Sequence, residues 1–284
     1  MKLKWAFNSA SVMNLSWDDE FKLWKKYKWK AVDLWFDKVK ACMEKGHTCA
    51  ELGGQMHDAG ITPIGVGPAA VWTIGSNFHP GQERRELLER MDVTLALGAP
   101  TLTVVILGRP APDLAYEYHR LTDKLRGITE MAAARNLKLA LEFIGGLEVN
   151  GTLGSAIELV RRAEHPSLGL CLDLCHYYTS ASHLEELVLL PKKKLFLVHV
   201  DDAQRRPMET LGCEHRTFPG EGRIDVPALL AEIKRRTRYD GYYSVELYDK
   251  DIWAMEAREV FKRTAASVKF VEKNFGKVGA VMKK

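Results

Sequence analysis

The sequence predicts a single-domain (β/α)8 barrel, and three observations predict it. Eight short apolar runs alternate with longer stretches of helical periodicity. The chain has 284 residues, a length suited to eight β/α units in one domain of about 250 residues. Several of the runs, such as TLTVVIL and LFLVHV, are apolar at every position, as strands buried on both faces of a parallel sheet are. A doubly wound open sheet is the structural competitor.

The strands are expected at Leu3–Asn8, Ala31–Trp35, Ile61–Val66, Leu102–Leu107, Lys138–Phe143, Leu168–Leu172, Leu195–His199 and Tyr242–Glu246. Helical spacing is clearest in Arg84–Leu97, Leu114–Ala134, Leu153–Ala163 and Val226–Arg236. The segments 66–80, 108–113 and 204–218 read as loops. Residues 1–275 are expected to form the barrel and 276–284 (GKVGAVMKK) a frayed C-terminal tail.

Composition narrows the function classes. Apolar residues make up 46% and the formal charge is only +4, too weak a balance to demand nucleic acid or a membrane. No apolar run reaches the length of a spanning helix, and Asn8, Ser9 and Ser11 break any signal-peptide core. Five unevenly spaced cysteines argue against a disulfide framework. The plain reading is a cytoplasmic protein with a small-molecule substrate. The segment GGLEVNGTLG lacks the glycine spacing of a dinucleotide fingerprint.

In such barrels the chemistry sits where the strands end at their C-terminal face. There the last four strands deliver Glu142 in KLALEF, Asp173 in LGLCLD, His199 in LFLVHVDD and Glu246 in YYSVEL. A charge inside an apolar strand is costly unless it is paired, and a divalent metal ion is a ready partner. Taken singly, Asp173 would suit a helix N-cap and His199 a satisfied core histidine; four at equivalent strand ends point to a metal site. Three carboxylates and one imidazole suit Mn2+ best, with Mg2+, Co2+ or Zn2+ as alternatives.

Glu142, Asp173-x-x-His176, His199 and Glu246 together resemble the xylose-isomerase-like TIM-barrel superfamily. The similarity is greatest to its ketose 3-epimerase and inosose isomerase/dehydratase branch. The resemblance implies one metal ion held by Glu142, Asp173, His199 and Glu246, with Glu142 and Glu246 also moving protons. It implies substrate-binding roles for Glu148 (in EFIGGLE), His176 (in DLCH) and Arg205 (in HVDDAQR). The turn Pro219–Gly222 matches the loop before the last helix–strand unit. His215 and Arg216, just before it, could touch substrate or metal but are given no role. The implied activity is a metal-dependent isomerase or epimerase of a ketose, keto-sugar or inosose, working through an enediolate. A dehydratase using the same site is the alternative. A homo-dimer or homo-tetramer is the implied assembly.

Two smaller readings complete the expectation. An AP endonuclease of the endonuclease IV type shares the barrel but needs three zinc ions and further histidines. Here the third and fourth strands end in GVGP and ILGR, and the position before the turn reads Cys213-Glu214-His215. Trp17, Trp24, Trp29 and Trp35 are read as packing, Cys171 and Cys175 as small fillers, and Trp72 and Phe143 as an apolar wall over a sugar.

Overall fold

The computed structural model describes residues 2–73, 75 and 79–281, with side chains described up to residue 275. In chain order the strands are β1 (Lys4–Asn8), β2 (Ala31–Trp35), β3 (Thr62–Trp72), β4 (Thr101–Leu107) and β5 (Lys138–Glu142). They continue with β6 (Leu168–Asp173), β7 (Leu195–Val200), the two-residue strands β8 (Asp202–Ala203) and β9 (Arg216–Thr217), and β10 (Tyr242–Val245). The order β1-β10-β7-β6-β5-β4-β3-β2 closes into a parallel barrel, and β8 and β9 form a separate antiparallel pair.

The helices are α1 (Trp17–Lys26), α2 (Phe36–Glu44), α3 (Cys49–Asp58), α4 (Pro80–Ala96), α5 (Leu114–Ala133) and α6 (Leu153–Ala163). After them come α7 (Leu174–Tyr178), α8 (Val226–Thr237), α9 (Lys250–Trp253) and α10 (Ala257–Val281). No helix among the described residues is long and apolar enough to cross a membrane. The helix α10 runs through most of the segment expected as a tail, and residues 282–284 lie outside the described ones.

The period-2 alternation of each strand sorts its residues into two sets. Outward side chains such as Phe7, Val32, Leu139, Leu141, Leu170, Leu172, Val198 and Val245 pack under the helices in two large apolar clusters. Inward ones stack in layers. A floor of Ala6, Ala31, Ile64, Ala140, Cys171 and Leu197 fills the lumen. One pleat further along the same strands stand Asn8, Asp33, Glu142, Asp173 and His199. The site is therefore the layer directly above an apolar floor. Strand register sets its level: Asn8 lies opposite Asp33, and Asp173 opposite His199.

One strand departs from expectation. Gly65-Val66-Gly67-Pro68 reads as the end of the third strand, yet β3 continues to Trp72. Ala69–Trp72 pair with Val104–Leu107 after a register shift between Val66 and Ala69. Ladder hydrogen bonds to β4 outweigh the local Gly/Pro break. Of the expected loop at 66–80, residues 74 and 76–78 lie outside the described ones.

Candidate metal centre and active-site cavity

Glu142 ends β5, Asp173 ends β6, His199 lies in β7 and Glu246 follows β10; all four are buried. Each offers one ligand atom, and the four atoms all lie within 4.8 Å of one another. A second grouping, Glu142, Cys171 and His199, shares two of these residues. Among the described residues the candidate groupings thus share one locus, on one patch of the barrel mouth. Burial raises the Cys171 thiol well above its usual range, so the four-residue set, oxygen-rich with one imidazole, is the one suited to a divalent ion.

Asp173 caps a helix and also stands in the candidate ligand group. Its Oδ1 accepts from the backbone N–H of His176 at 2.7 Å and caps α7. Its Oδ2 faces the site, 2.7 Å from Arg216 Nη1. A carboxylate has enough lone pairs to cap a helix with one oxygen and bind a cation with the other.

His199 is held from both ring nitrogens. Nδ1 lies 2.9 Å from Glu142 Oε1 and 3.4 Å from Glu246 Oε2, while Nε2 lies 3.2 Å from Asp33 Oδ2. Burial works against its charged form. Cys171, Glu246, Glu142 and the hydrogen bond to Asp33 outweigh that and raise its pKa well above the ordinary histidine value. Burial also raises Glu142, to about 7, against the pull of His199. Glu246 is equally buried, but His199 and Arg216 hold its pKa far below the usual carboxylate range. The environments push the two glutamates in opposite directions.

Sequence reasoning left out three residues of this layer. Arg216, in β9, is buried, and its Nη1 lies 2.7 Å from oxygens of Asp173, Asp201 and Glu246. The contact with Asp201 is an ion contact without hydrogen-bond alignment. Asn8 donates to Glu246 Oε1 at 3.0 Å and to Asp33 Oδ2 at 3.4 Å. Asp33 is the third. Asn8 and Asp33 could have been found by asking of the first two strands what was asked of the last four. Arg216 is signalled by the antiparallel pair that places it beside Ala203, a contact that counting forward from His199 does not reveal.

The layer opens into a cavity of about 290 Å3. Its wall is Leu34, Trp35, Pro68, Leu107, Ile144 and Tyr248, with Trp35 and Tyr248 ring centroids 5.6 Å apart. Trp35 is therefore a wall residue, whereas Trp17, Trp24 and Trp29 are core as expected. Phe143 points outward into the core, and neither it nor Trp72 lines the cavity. His176 does line it. Gly145 N–H and Arg216 Nη2 approach its Nδ1 and Nε2 at 3.3 and 3.2 Å. A neutral imidazole has one bare nitrogen and satisfies one such donor at a time. Burial lowers its pKa to about 4. Glu148 and Arg205 are exposed and outside the cavity lining.

Comparison with known proteins places this arrangement. The model of the xylose isomerase-like TIM barrel family matches residues 21–269. The chain belongs to the xylose isomerase-like TIM-barrel family. Among relatives in this family, the inosose isomerase of Halalkalibacterium halodurans is 29% identical over 234 residues, covering 81% of this chain and 83% of that one. The inosose isomerase of Bacillus licheniformis is 27% identical over 285 residues, covering 96% and 99%. The 3-dehydroshikimate dehydratase of Pseudomonas aeruginosa is 31% identical over 188 residues, covering 65% of this chain and 28% of that one. A crystal structure of the IolI protein with a bound zinc atom superposes with a TM-score of 0.86 at 24% identity, over 96% of this chain and 99% of that one. The predicted fold and family hold.

Proposed function

We propose that this chain is a divalent-metal-dependent isomerase or epimerase that moves a proton at the carbon beside the carbonyl of an uncharged keto-polyol, an inosose or a ketose. The observation that carries the reading is the convergence of Glu142, Asp173, His199 and Glu246 within 4.8 Å, with Glu142, His199 and Glu246 lining one cavity. Glu142, Asp173, His199 and Glu246 would hold the ion, and an oxygen-rich set of this kind would prefer Mn2+. When bound, the ion supplies Lewis acidity toward the substrate carbonyl and its neighbouring oxygen.

The chain's own residues do the rest. One of the two glutamates takes the proton from the carbon beside the carbonyl, giving an enediolate, and the other returns a proton from across the substrate. His176, on the cavity lining, offers a neutral imidazole to a substrate oxygen. Arg216, in place of Arg205, supplies the positive charge that balances Asp173, Asp201 and Glu246, and Glu148 stays outside the substrate's reach. Trp35 and Tyr248 cover the apolar face of the sugar and keep water from the enediolate.

Charge selects among substrates. Arg216 is the cavity's one arginine or lysine among the described lining residues, and it already faces Asp173, Asp201 and Glu246. A substrate carboxylate has no unengaged cationic side chain to meet and faces Asp33, Glu142 and Glu246. The cavity thus favours inososes and ketoses over acids such as 3-dehydroshikimate. Dehydration is the second course of the same enediolate when a hydroxyl stands β to the carbonyl; the likeness to dehydratases favours it.

The test is exchange of substrate C–H for deuterium in D2O, followed by NMR on an inosose, a ketohexose and 3-dehydroshikimate. Exchange on a neutral member is expected to require Mn2+ and to fall by more than about a thousandfold in Glu246→Gln, in line with loss of a general acid–base group and a metal ligand together. No exchange on any member, with one ion bound per chain, would sink the reading.

A further inference from the structure

We infer that Asp33 is a positioning residue that selects Nδ1 of His199 as the metal ligand. The inference rests on the metal reading above. A metal-binding imidazole must present one bare nitrogen, and the tautomer is set by whatever accepts the N–H on the other. In this site the two nitrogens face different neighbours. Nδ1 looks toward Glu142 and Glu246, two of the other ligands, at 2.9 and 3.4 Å. Nε2 looks away from them toward Asp33 Oδ2 at 3.2 Å. Asp33 is buried and stands outside the four-ligand group, so its carboxylate is an acceptor for the ring and not itself a ligand.

Two neighbours hold that carboxylate in place. Asn8 directs its NH2 at Asp33 Oδ2 and Glu246 Oε1, and its own Oδ1 accepts from Ala10 N–H at 2.9 Å, which fixes which way the amide points. On the other side the chain has Gly65. A Cβ there would lie 2.8 Å from Asp33 Oδ1, closer than the two atoms tolerate. The absent side chain is what leaves room for the carboxylate beside His199.

The experiment uses the full chain as wild type, Asp33→Asn, Asp33→Ala and Gly65→Ala. Mn2+ affinity is measured by the EPR signal of free ion, and the His199 ring by 15N NMR of the Zn2+-loaded protein. Loss of an outer carboxylate partner weakens metal binding about 10–100-fold, and that is the expectation for Asp33→Ala and Gly65→Ala. The slowly exchanging Nε2–H signal is expected to disappear in both. Asp33→Asn keeps an amide oxygen that can accept the N–H, so it should retain the signal and lie between in affinity. Gly65→Ala displaces the carboxylate without removing it, and it and the Asn variant carry the test if Asp33→Ala does not fold. Wild-type affinity and an unchanged ring spectrum in the Ala and Gly65 variants overturn the role of Asp33 alone. A wild-type protein that takes up neither ion overturns the metal reading and this one with it.

Discussion

Two adjacent layers of the barrel lumen could hardly differ more in chemistry. The floor, Ala6, Ala31, Ile64, Ala140, Cys171 and Leu197, is small and apolar. One pleat above it, on the same strands, Asn8, Asp33, Glu142, Asp173 and His199 are nearly all ionisable and equally buried. The floor is stabilised by removal of apolar area from water, and each of its residues contributes on its own. The upper layer is stabilised only as a set. Its carboxylates are tolerable because Arg216 and His199 stand among them, and a missing partner leaves the remainder exposed to one another.

That difference can be broken in three places. The largest effect is expected from Arg216→Met, which leaves Asp173, Asp201 and Glu246 facing one another. Removing one partner of a buried ion pair costs about 3–5 kcal/mol, read by urea denaturation. Added Mn2+ should restore part of the loss in Arg216→Met, since a second cation meets the same oxygens. A loss that Mn2+ leaves untouched would mean that Arg216 acts through packing. The floor should respond differently. Leu197→Ala is expected to cost about 2–4 kcal/mol by opening a cavity, with Mn2+ affinity within twofold of wild type. A large fall in affinity there would show that the two layers are not independent. The smallest effect belongs to Arg205→Ala, at the exposed loop, where stability should change by less than about 0.5 kcal/mol. Turnover should stay within twofold; a tenfold loss would bring Arg205 back to the substrate.

Much of this was legible in the sequence, for reasons that differ by residue. Glu142, Asp173, His199 and Glu246 could be read because each stands at or beside the C-terminal end of an apolar strand, and strand ends in a barrel share a level. Asp33 sits in AVDLW by the same rule. Nothing near it along the chain marks it as a partner of His199, because only closure of the barrel brings β2 toward β7. Arg216 was illegible for a physical reason. Its position depends on the pairing Ala203↔Arg216 and Asp202↔Thr217, so its distance along the chain from His199 carries no information. The extension of β3 past Gly67-Pro68 was likewise invisible, because only the neighbouring strand reveals it.

Asp202 has a consequence for how such a protein can diversify. Its Oδ1 accepts from Ala203 and Ile224, and its Oδ2 from Gly220 and Gly222, all backbone N–H groups at 2.8–3.0 Å. A Cβ on Gly222 would sit 2.3 Å from that carboxylate. One side chain thus ties the start of the excursion at 204–215 to the turn that follows its end, and the β8–β9 pair joins the two ends. The excursion also reaches back to its own root, where the Cys213 carbonyl accepts from Arg216 Nε at 2.9 Å. A change of length or content at its tip would retune what reaches the cavity mouth, provided it spares the Cys213 carbonyl that steadies the guanidinium among the acids.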